Sequence, residues 1–240
     1  MTQNVTPGMV SVIVPAYNAE AYLAETLESV LEQNWQPLEL LVVDNDSTDR
    51  TFAVAESFGR RVRIISRGSH GQPGATRNSG IAAAQGEFLL HLDADDLLTP
   101  DSISTRMRYF LEAPDLDMVI GKLLCFFSPE LSAEERARYV MPLAPQQGHL
   151  PGAAIIRADA FDKFGRLDER LPINACLDWS VRARDEGARI RLIEDVVVER
   201  RIHGKNMSLI KKRELDRSSL QILRASLARR RKANAGVSEG

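Results

Sequence analysis

Short apolar runs alternate with helical patterns through the first half of the chain. Runs of strand length cover residues 10–14, 38–43, 62–65, 87–92 and 117–121. Apolar residues also recur at helical spacing, in the set Leu23, Leu27, Val30 and Leu31. Further helices are expected from the glycine-rich loop 68–74 through Ala84 and from about Pro100, a residue that suits a first helical turn. Strands that alternate with helices predict a mainly parallel sheet covered on both faces.

The second half of the chain has a less regular pattern. Residues 122–150 mix aromatic, charged and proline-containing pieces, and we expect them to form an insertion or flap. A strand over 153–157, helices over 158–164 and 177–187, and a strand over 189–193 are predicted after it.

Polar side chains follow three of the predicted strands. Tyr17 and Asn18 follow the first strand, Asp44 ends the second, and the acidic run 93–96 follows the fourth. The carboxyl ends of parallel strands share one edge, where ligands bind in open α/β sheets. Carboxylates this close repel one another. The run therefore predicts a cation, and Mg²⁺ or Mn²⁺ commonly joins protein carboxylates to substrate phosphates. The glycines at 68, 71 and 74 fit neither common phosphate-loop motif.

Composition narrows the possibilities without naming a function. The chain has 240 residues, 44% hydrophobic and 27% charged, with a net charge of -2. This size suits one large domain or two small ones, and the charge argues against nucleic acid. Cys125 and Cys176 show no metal-site spacing, which favours a reduced, cytoplasmic setting. Residues 1–9 lack the pattern of a cleaved signal. No apolar run reaches the roughly 18 residues of a membrane span.

The C-terminal segment is strongly basic. Residues 205–232 carry ten Lys or Arg against two acidic residues, a local charge of about +8. One face of a predicted helix there is formed by Leu215, Ser219, Ile222, Leu223 and Leu227. Two interpretations stay open: a solvated, partly frayed helix, or a surface attracted to anionic lipid headgroups. The second would place the protein peripherally at the inner face of a membrane.

Six segments occur in a recognisable order. They are VSVIVPAYN at 10–18, ELLVVDNDSTD at 39–49, GATRNSG at 74–80, LDADD at 92–96, LDW at 177–179 and HGKNMS at 203–208. Through these segments, residues 9–208 resemble the family-2 glycosyltransferases of the GT-A fold. Leu177 departs from the family's usual glutamate, Ser180 stands where an acid often follows, and Asn45-Asp46 stand where Asp-Gly is frequent.

The resemblance implies roles for individual residues. Contacts to a nucleotide-diphosphate sugar would come from Ala16, Tyr17, Asp44, Arg77, Asp93 and Asp95. Asp178 occupies the place of the usual catalytic base. A Mn²⁺ or Mg²⁺ ion would be held by Asp95, with Asp93 and His203. We expect Asp96 to cap the next segment and His91 to be a packed core residue, whereas His70 and His149 carry no interpretable signal.

The resemblance also implies an organisation and an activity. We expect a three-layer α/β/α GT-A domain over residues 1–208, with a nucleotide-sugar half at 9–121 and an irregular acceptor and catalytic half at 122–208. A basic helix and tail would follow at 209–240. The implied reaction is metal-dependent, inverting transfer of a sugar to an acceptor hydroxyl in polysaccharide or glycoconjugate synthesis.

The partners follow from that reaction. A UDP-sugar is the favoured donor, with GDP- or dTDP-sugars as alternatives, and the acceptor would be a carbohydrate or a lipid-linked molecule. A non-catalytic nucleotide-sugar-binding protein stays open. A nucleotidyltransferase also stays open, although we find no basic triphosphate-binding loop. A homodimer is left open as well.

Overall fold

The computed structural model describes residues 5–68, 71–139, 141–142, 144–148, 151–206 and 210–237, with side chains through Arg231. His70 in the glycine-rich loop, His149 in the expected flap, and residues 207–208 of the late motif lie outside the described residues.

The chain alternates strands and helices as its pattern predicts. The strands are β1 Thr6–Ala16, β2 Leu38–Asp44, β3 Arg63–Ser66, β4 Gly86–His91, β5 Leu97–Leu98, β6 Met118–Phe127, β7 Gln146–Gln147, β8 Ala154–Arg157 and β9 Ile190–Ile202. The helices are α1 Leu23–Leu31, α2 Thr51–Ser57, α3 Pro73–Ala83, α4 Ser102–Glu112, α5 Ala133–Arg136, α6 Ala160–Lys163, α7 Ala175–Asp185 and α8 Lys212–Val237, with a 3₁₀ turn at Gly59–Arg61.

The first four strands form a parallel sheet in the order β3-β2-β1-β4. Every residue at 10–14 of β1 is buried. Successive strand side chains point to opposite faces, so helices must cover both sides of the sheet. The chain moves one way from β1 to β3 and then returns past them to β4. Right-handed crossovers therefore place α3 on the opposite face from α1 and α2.

The strands β1, β2 and β4 end at one edge of the sheet, and α3 packs closely against β1. Gly80 of α3 lies against β1, where an added Cβ would be 2.3 Å from Ile13 Cγ2. In register, Ala16 of β1 pairs with Asp44 of β2, and Ile13 pairs with His91 of β4. The strand order reverses between β1 and β4, the position at which such sheets bind ligands. The candidate residues at 16–17, 44 and 93–96 therefore share one edge.

The second half extends this sheet with mixed pairing. From β4 the order continues β8-β6-β9-β5, and β7 pairs with β6. The pairs of β8 are antiparallel, whereas β6 and β9 form a long parallel ladder. The expectation of an irregular segment from 122 is wrong for its first part, because residues 122–127 continue β6. Strand β9 likewise runs to Ile202, past the predicted end at residue 193.

The basic C-terminal segment packs as a helix on α7. Asn174 donates from Nδ2 to Leu215 O at 3.2 Å and to Ser219 Oγ at 3.0 Å. Farther along, the buried Asp185 carboxylate accepts from Ser226 Oγ at 2.9 Å and from Arg229 Nε at 2.9 Å. These contacts join the two helices over about eleven residues in the same direction. The inner side of this helix is therefore packed on α7, whereas most of its other described side chains are exposed, as the solvated interpretation expects.

The prediction that all five apolar-face residues of α8 share one side of the helix is wrong. Leu215, Ser219 and Ile222 turn toward α7 and Ile222 is buried, whereas Leu223 and Leu227 are exposed on another side. Helical spacing alone could not divide these residues, because both sides of the helix carry leucine. Among the described residues, no helix combines the length and apolarity that crossing a bilayer requires.

Arg106 of α4 is a fully buried charge in the core. Its guanidinium donates to Ser102 O at 3.0 Å, to Ser102 Oγ at 2.6 Å and to Gly152 O at 2.8 Å. Burial lowers the pKa of Arg106 to about 9. The side chain thereby ties α4 to the turn that precedes β8.

Arg106→Met should destabilise the protein by about 1–3 kcal/mol, because it leaves the Gly152 carbonyl without a donor. Urea unfolding measures this loss. Arg108→Met, on the exposed side of the same helix, should change the free energy of unfolding by less than about 0.5 kcal/mol. Equal stability of Arg106→Met and the unsubstituted protein would show that the buried charge costs as much as its hydrogen bonds contribute.

Candidate active site

The end of β2 presents a carboxylate with an unused acceptor. Asp44 is buried, and its Oδ2 accepts a long hydrogen bond of 3.4 Å from Ser47 N. Its Oδ1 is buried without a partner among the described residues. A buried, unsatisfied oxygen is costly unless a ligand completes it. Beside it at the end of β1, Ala16 is buried and Tyr17 is half exposed. A ligand with an N–H group would fit this corner.

Two asparagines hold the loops of this corner in place. Asn18 donates its backbone N–H to Ser47 Oγ at 3.0 Å and accepts from Thr48 N at 2.9 Å. Asn45 accepts from Gly71 N at 3.1 Å and donates to Gly71 O at 2.9 Å. The two loops after β1 and β2 are therefore locked together, and Asn45 also fastens the glycine-rich loop.

Arg77 brings a buried positive charge to the acidic run. It lies on α3, and its guanidinium forms an ion pair with the Asp93 carboxylate. Arg77 Nε is buried without a partner among the described residues. The Asp93 side chain is 40% exposed, so the pair borders the open edge. A guanidinium there can neutralise an anionic ligand.

Asp95 is oriented by the turn that follows β9. Its Oδ2 lies 2.9 Å from His203 Nε2 and 3.3 Å from Asn206 Nδ2. His203 Nδ1 accepts the backbone N–H of Lys205 at 3.1 Å. We therefore assign the proton of neutral His203 to Nε2, which donates it to Asp95. To ligate a metal through Nε2, His203 would need the opposite tautomer and a shift of this turn.

Arg201, near the end of β9, binds the backbone of the acidic run, a role that the sequence did not indicate. It is buried, and its Nε donates to the backbone oxygen of Asp95 at 3.1 Å. The same guanidinium forms an ion pair with Glu25 and lies 5.0 Å over the Tyr22 ring. In the sequence, Arg200 and Arg201 lie beyond the predicted end of the strand, and two adjacent arginines are usually exposed. The pattern therefore gave no sign that Arg201 is buried.

Asp96 differs from its two acidic neighbours. It is buried, and its Oδ1 accepts the backbone N–H of Arg201 at 3.0 Å. Burial, together with the charges of Asp95 and Asp93, raises the pKa of Asp96 well above its usual value. Asp96 therefore binds the backbone of β9, whereas the sequence predicted that it caps the segment directly after it.

His91 is confirmed as a packed core residue. It is buried with its ring 6.2 Å from the Phe161 ring in an edge-on contact. Burial, and secondarily the nearby Arg77, lowers the pKa of His91 to about 3. The imidazole is therefore neutral and takes no part in the polar edge.

Helix α7 approaches the same edge from the second half of the chain. Trp179 anchors it, because the indole is fully buried, stacks on Phe161 at 4.5 Å and donates to Gly165 O at 2.6 Å. A Cβ added at Gly74 of α3 would lie 3.2 Å from Ala175 Cβ. This close approach sets the first turn of α7 beside the start of α3, the helix that carries Arg77.

Asp178 lies in that first turn of α7. Its Oδ2 accepts from Arg182 Nε at 2.8 Å, and the side chain is 16% exposed. Arg182 is held in turn by the carbonyl oxygens of Phe164 and Arg166. Among the described residues, Asp178 Oδ1 accepts no hydrogen bond. One carboxylate oxygen is thus fixed in place and the other stays available.

The carboxylates fit a divalent cation. Oxygen atoms of Asp93, Asp95 and Asp96 lie within 4.8 Å of one another. Asp93 and Asp95 are partly exposed, and hard cations such as Mg²⁺ and Mn²⁺ prefer carboxylate oxygens. Asp96 faces inward, which leaves Asp93 and Asp95 as the two accessible ligands.

The family described as Glycosyl transferase family 2 matches residues 11–165 of the chain. The chain belongs to this family. The matched region contains both the Asp44 corner and the acidic run, so the expected family is confirmed. The roles of individual residues stay predictions.

Similar proteins agree with this membership. Glycosyltransferase GlyG of Streptococcus pneumoniae is 35% identical over 116 residues, which are 47% of this chain and 38% of that protein. An uncharacterized glycosyltransferase of Rickettsia typhi is 27% identical over 216 residues, covering 85% of this chain and 67% of that one. The chain thus spans less than half of the first relative's length.

Solved structures share the fold. The crystal structure of S. aureus TarS 1-349 has a TM-score of 0.66 and 24% identity, with 80% of this chain and 60% of that one covered. TarS 1-349 in complex with UDP-GlcNAc has a TM-score of 0.64, 22% identity, and coverage of 82% and 59%. The expected GT-A-type α/β fold with a mainly parallel sheet is confirmed.

The adjacent substitutions Asp95→Asn and Asp96→Asn should have different outcomes, although each replaces a carboxyl group with an amide. If Asp93 and Asp95 hold Mn²⁺ for a bound UDP, Asp95→Asn should lower the UDP affinity measured with Mn²⁺ by more than the 10–100-fold that loss of an outer-shell partner typically costs. Asp96→Asn keeps an acceptor for Arg201 N and should leave the affinity unchanged. Calorimetry with and without Mn²⁺ measures both. Equal losses in the two variants would show that Asp96 also serves the ligand.

Proposed function

We propose that this chain is a metal-dependent, inverting glycosyltransferase that moves a sugar from a nucleotide-diphosphate donor to an acceptor hydroxyl. The observation that carries this proposal is the convergence of four groups on one sheet edge. They are the unsatisfied Asp44 oxygen, the buried Arg77, the exposed carboxylates of Asp93 and Asp95, and the first turn of α7.

The Asp44 corner would bind the base and ribose of the donor. Asp44 Oδ1 would accept an N–H of the base, which completes its hydrogen bonding. Tyr17 is 50% exposed and would cover the base, while the buried Ala16 forms the floor. UDP is the favoured nucleotide, supported by the UDP and UDP-GlcNAc complexes of the similar TarS structure.

The acidic run and Arg77 would hold the diphosphate. Asp95 and Asp93 would ligate Mn²⁺ or Mg²⁺, and such an ion neutralises the charge that develops on the leaving diphosphate. Arg77 would share its charge between Asp93 and the phosphates. His203 would join the metal site after its turn moves and its proton shifts to Nδ1.

Asp178 would act as the catalytic base. Arg182 holds its Oδ2, so Oδ1 would take the proton from the acceptor hydroxyl as that oxygen attacks the anomeric carbon. Attack opposite the leaving diphosphate inverts the anomeric configuration. The bond to the diphosphate oxygen breaks, and the new glycosidic bond forms.

A non-catalytic nucleotide-sugar-binding protein is the second candidate. It is favoured by the Asp178–Arg182 ion pair, which occupies one oxygen of the proposed base, and by Leu177 in place of an acid. A nucleotidyltransferase is the weaker alternative and would release pyrophosphate.

Further parts of the proposal concern partners and organisation. The acceptor would be a carbohydrate or a lipid-linked molecule, bound by residues 122–208, and the product would enter polysaccharide or glycoconjugate synthesis. The division at residue 208 is part of the proposal, as is a cytoplasmic location. Self-association into a homodimer stays a prediction.

Asp178→Asn should lower kcat for sugar transfer by about 10²–10⁴-fold, the usual contribution of a positioned base. Donor affinity should not change, because Asp178 would contact the acceptor. Steady-state kinetics and UDP calorimetry separate the two. Glu186→Gln, which makes the same chemical change at an exposed position just past α7, should keep the normal rate. Transfer at the normal rate by Asp178→Asn would assign the base elsewhere.

Nucleotide identity can be tested by thermal shift with UDP, GDP and dTDP, each with and without Mn²⁺. UDP with Mn²⁺ should raise Tm the most, because ligands that bind only the folded state stabilise it by mass action. A hydrolysis assay with UDP-sugars then distinguishes the candidates. Release of UDP and free sugar supports a transferase, whereas binding without turnover supports the non-catalytic protein. Release of pyrophosphate from a nucleoside triphosphate would favour the nucleotidyltransferase.

A further inference from the structure

Helix α8 carries an apolar stripe on the side that faces away from α7. Leu220, Leu223 and Leu227 are each 56% exposed, and they follow one another at the i, i+3, i+7 spacing of one helix face. Ile210, just before the helix, is 66% exposed. Three of the nine large exposed hydrophobic residues of the described chain thus lie within eight residues.

The contacts with α7 fix the direction of this stripe. Asn174 holds the start of α8 and Asp185 holds its later turns, so the helix cannot roll to bury the leucines. The inner side is already occupied by Ile222 and Ser226, both of which are buried. The stripe is therefore a permanent surface feature.

Unpaired positive charge borders the stripe along one side. At 100° per residue, Arg217, Arg224 and Arg231 lie seven residues apart on the neighbouring strip of the helix surface. None of the three forms an ion pair within the described chain. By contrast, Arg229 and Arg230 both pair with Asp185, whose single negative charge offsets one of their two positive charges.

The combination of leucines and flanking arginines fits a membrane interface. Interfacial helices place an apolar side among the acyl chains and a basic side among the headgroups. Each basic residue near an anionic surface adds to the attraction. A coiled-coil partner fits less well, because such a seam continues over at least three heptads. Here Arg231 and Asn234 follow the leucines toward the end of the helix.

We propose that the outer face of α8, formed by Leu220, Leu223, Leu227 and the three arginines, docks the protein on an anionic lipid bilayer. The leucines would enter the boundary between headgroups and acyl chains, and the arginines would pair with lipid phosphates. This docking does not depend on the proposed reaction. If the acceptor is lipid-linked, the surface would bring the enzyme to it.

Vesicle flotation of the full chain tests the proposal. The protein should float with vesicles of 30% phosphatidylglycerol in phosphatidylcholine and stay unbound with phosphatidylcholine alone. The triple variant Leu220→Gln, Leu223→Gln, Leu227→Gln should lower the partition coefficient by about tenfold or more. All three positions are exposed, so the variant should fold, and circular dichroism checks this. Leu111→Gln, an exposed leucine on α4, is the matched control and should bind normally.

Charge is tested separately. Arg217→Gln, Arg224→Gln and Arg231→Gln together should also lower binding by about tenfold or more, and 0.5 M salt should weaken the unsubstituted protein similarly. Arg60→Gln, Arg166→Gln and Arg184→Gln remove the same charge elsewhere and should have a much smaller effect.

Three results would overturn the proposal. They are absence of binding to anionic vesicles, normal binding by the leucine variant, and a shift of that variant from dimer to monomer in light scattering. The last would assign the stripe to a second copy of the chain. Vesicle binding without binding of UDP, GDP or dTDP would refute the proposed function while leaving this surface intact.

Discussion

Repulsion within the acidic run constrains the rest of this structure. Carboxylate oxygens of Asp93, Asp95 and Asp96 lie within 4.8 Å of one another, and like charges at such distances raise the cost of ionisation. Two buried arginines, from two different elements, contact the run. Arg77 of α3 pairs with Asp93, while Arg201 of β9 binds the Asp95 backbone and gives its own N–H to Asp96. These contacts hold the run in place and offset part of its negative charge.

The two halves of the chain meet at the acidic run. Arg201, His203 and Asn206 all reach the acidic run from the end of β9, and β9 is held by its long parallel ladder with β6. Helix α7 arrives from the same half, with Trp179 as its anchor. The first half thus supplies the carboxylates and Arg77, and the second half supplies the groups that orient Asp95 and Asp96.

The C-terminal helix shows how one sequence segment can serve two surfaces. Its inner side contacts α7 through Asn174 and the buried Asp185, whose carboxylate pairs with two arginines and offsets one of their two positive charges. The remaining arginines and leucines are left outward in a fixed direction. The charge counted along residues 205–232 is therefore larger than the unpaired charge on the helix surface. The contacts with α7 also decide which side of the helix carries that unpaired charge.

The sequence by itself determined the alternation of elements, the buried strands and the placement of candidate residues at strand ends, because side-chain periodicity and the order of elements along the chain are local properties. The family followed from short motifs such as 92–96. Only the tertiary structure distinguished Asp96 from Asp95, buried Arg201 and Arg106, and divided the leucines of α8 between two sides. These outcomes depend on which distant segment covers a side chain, and no local pattern records that.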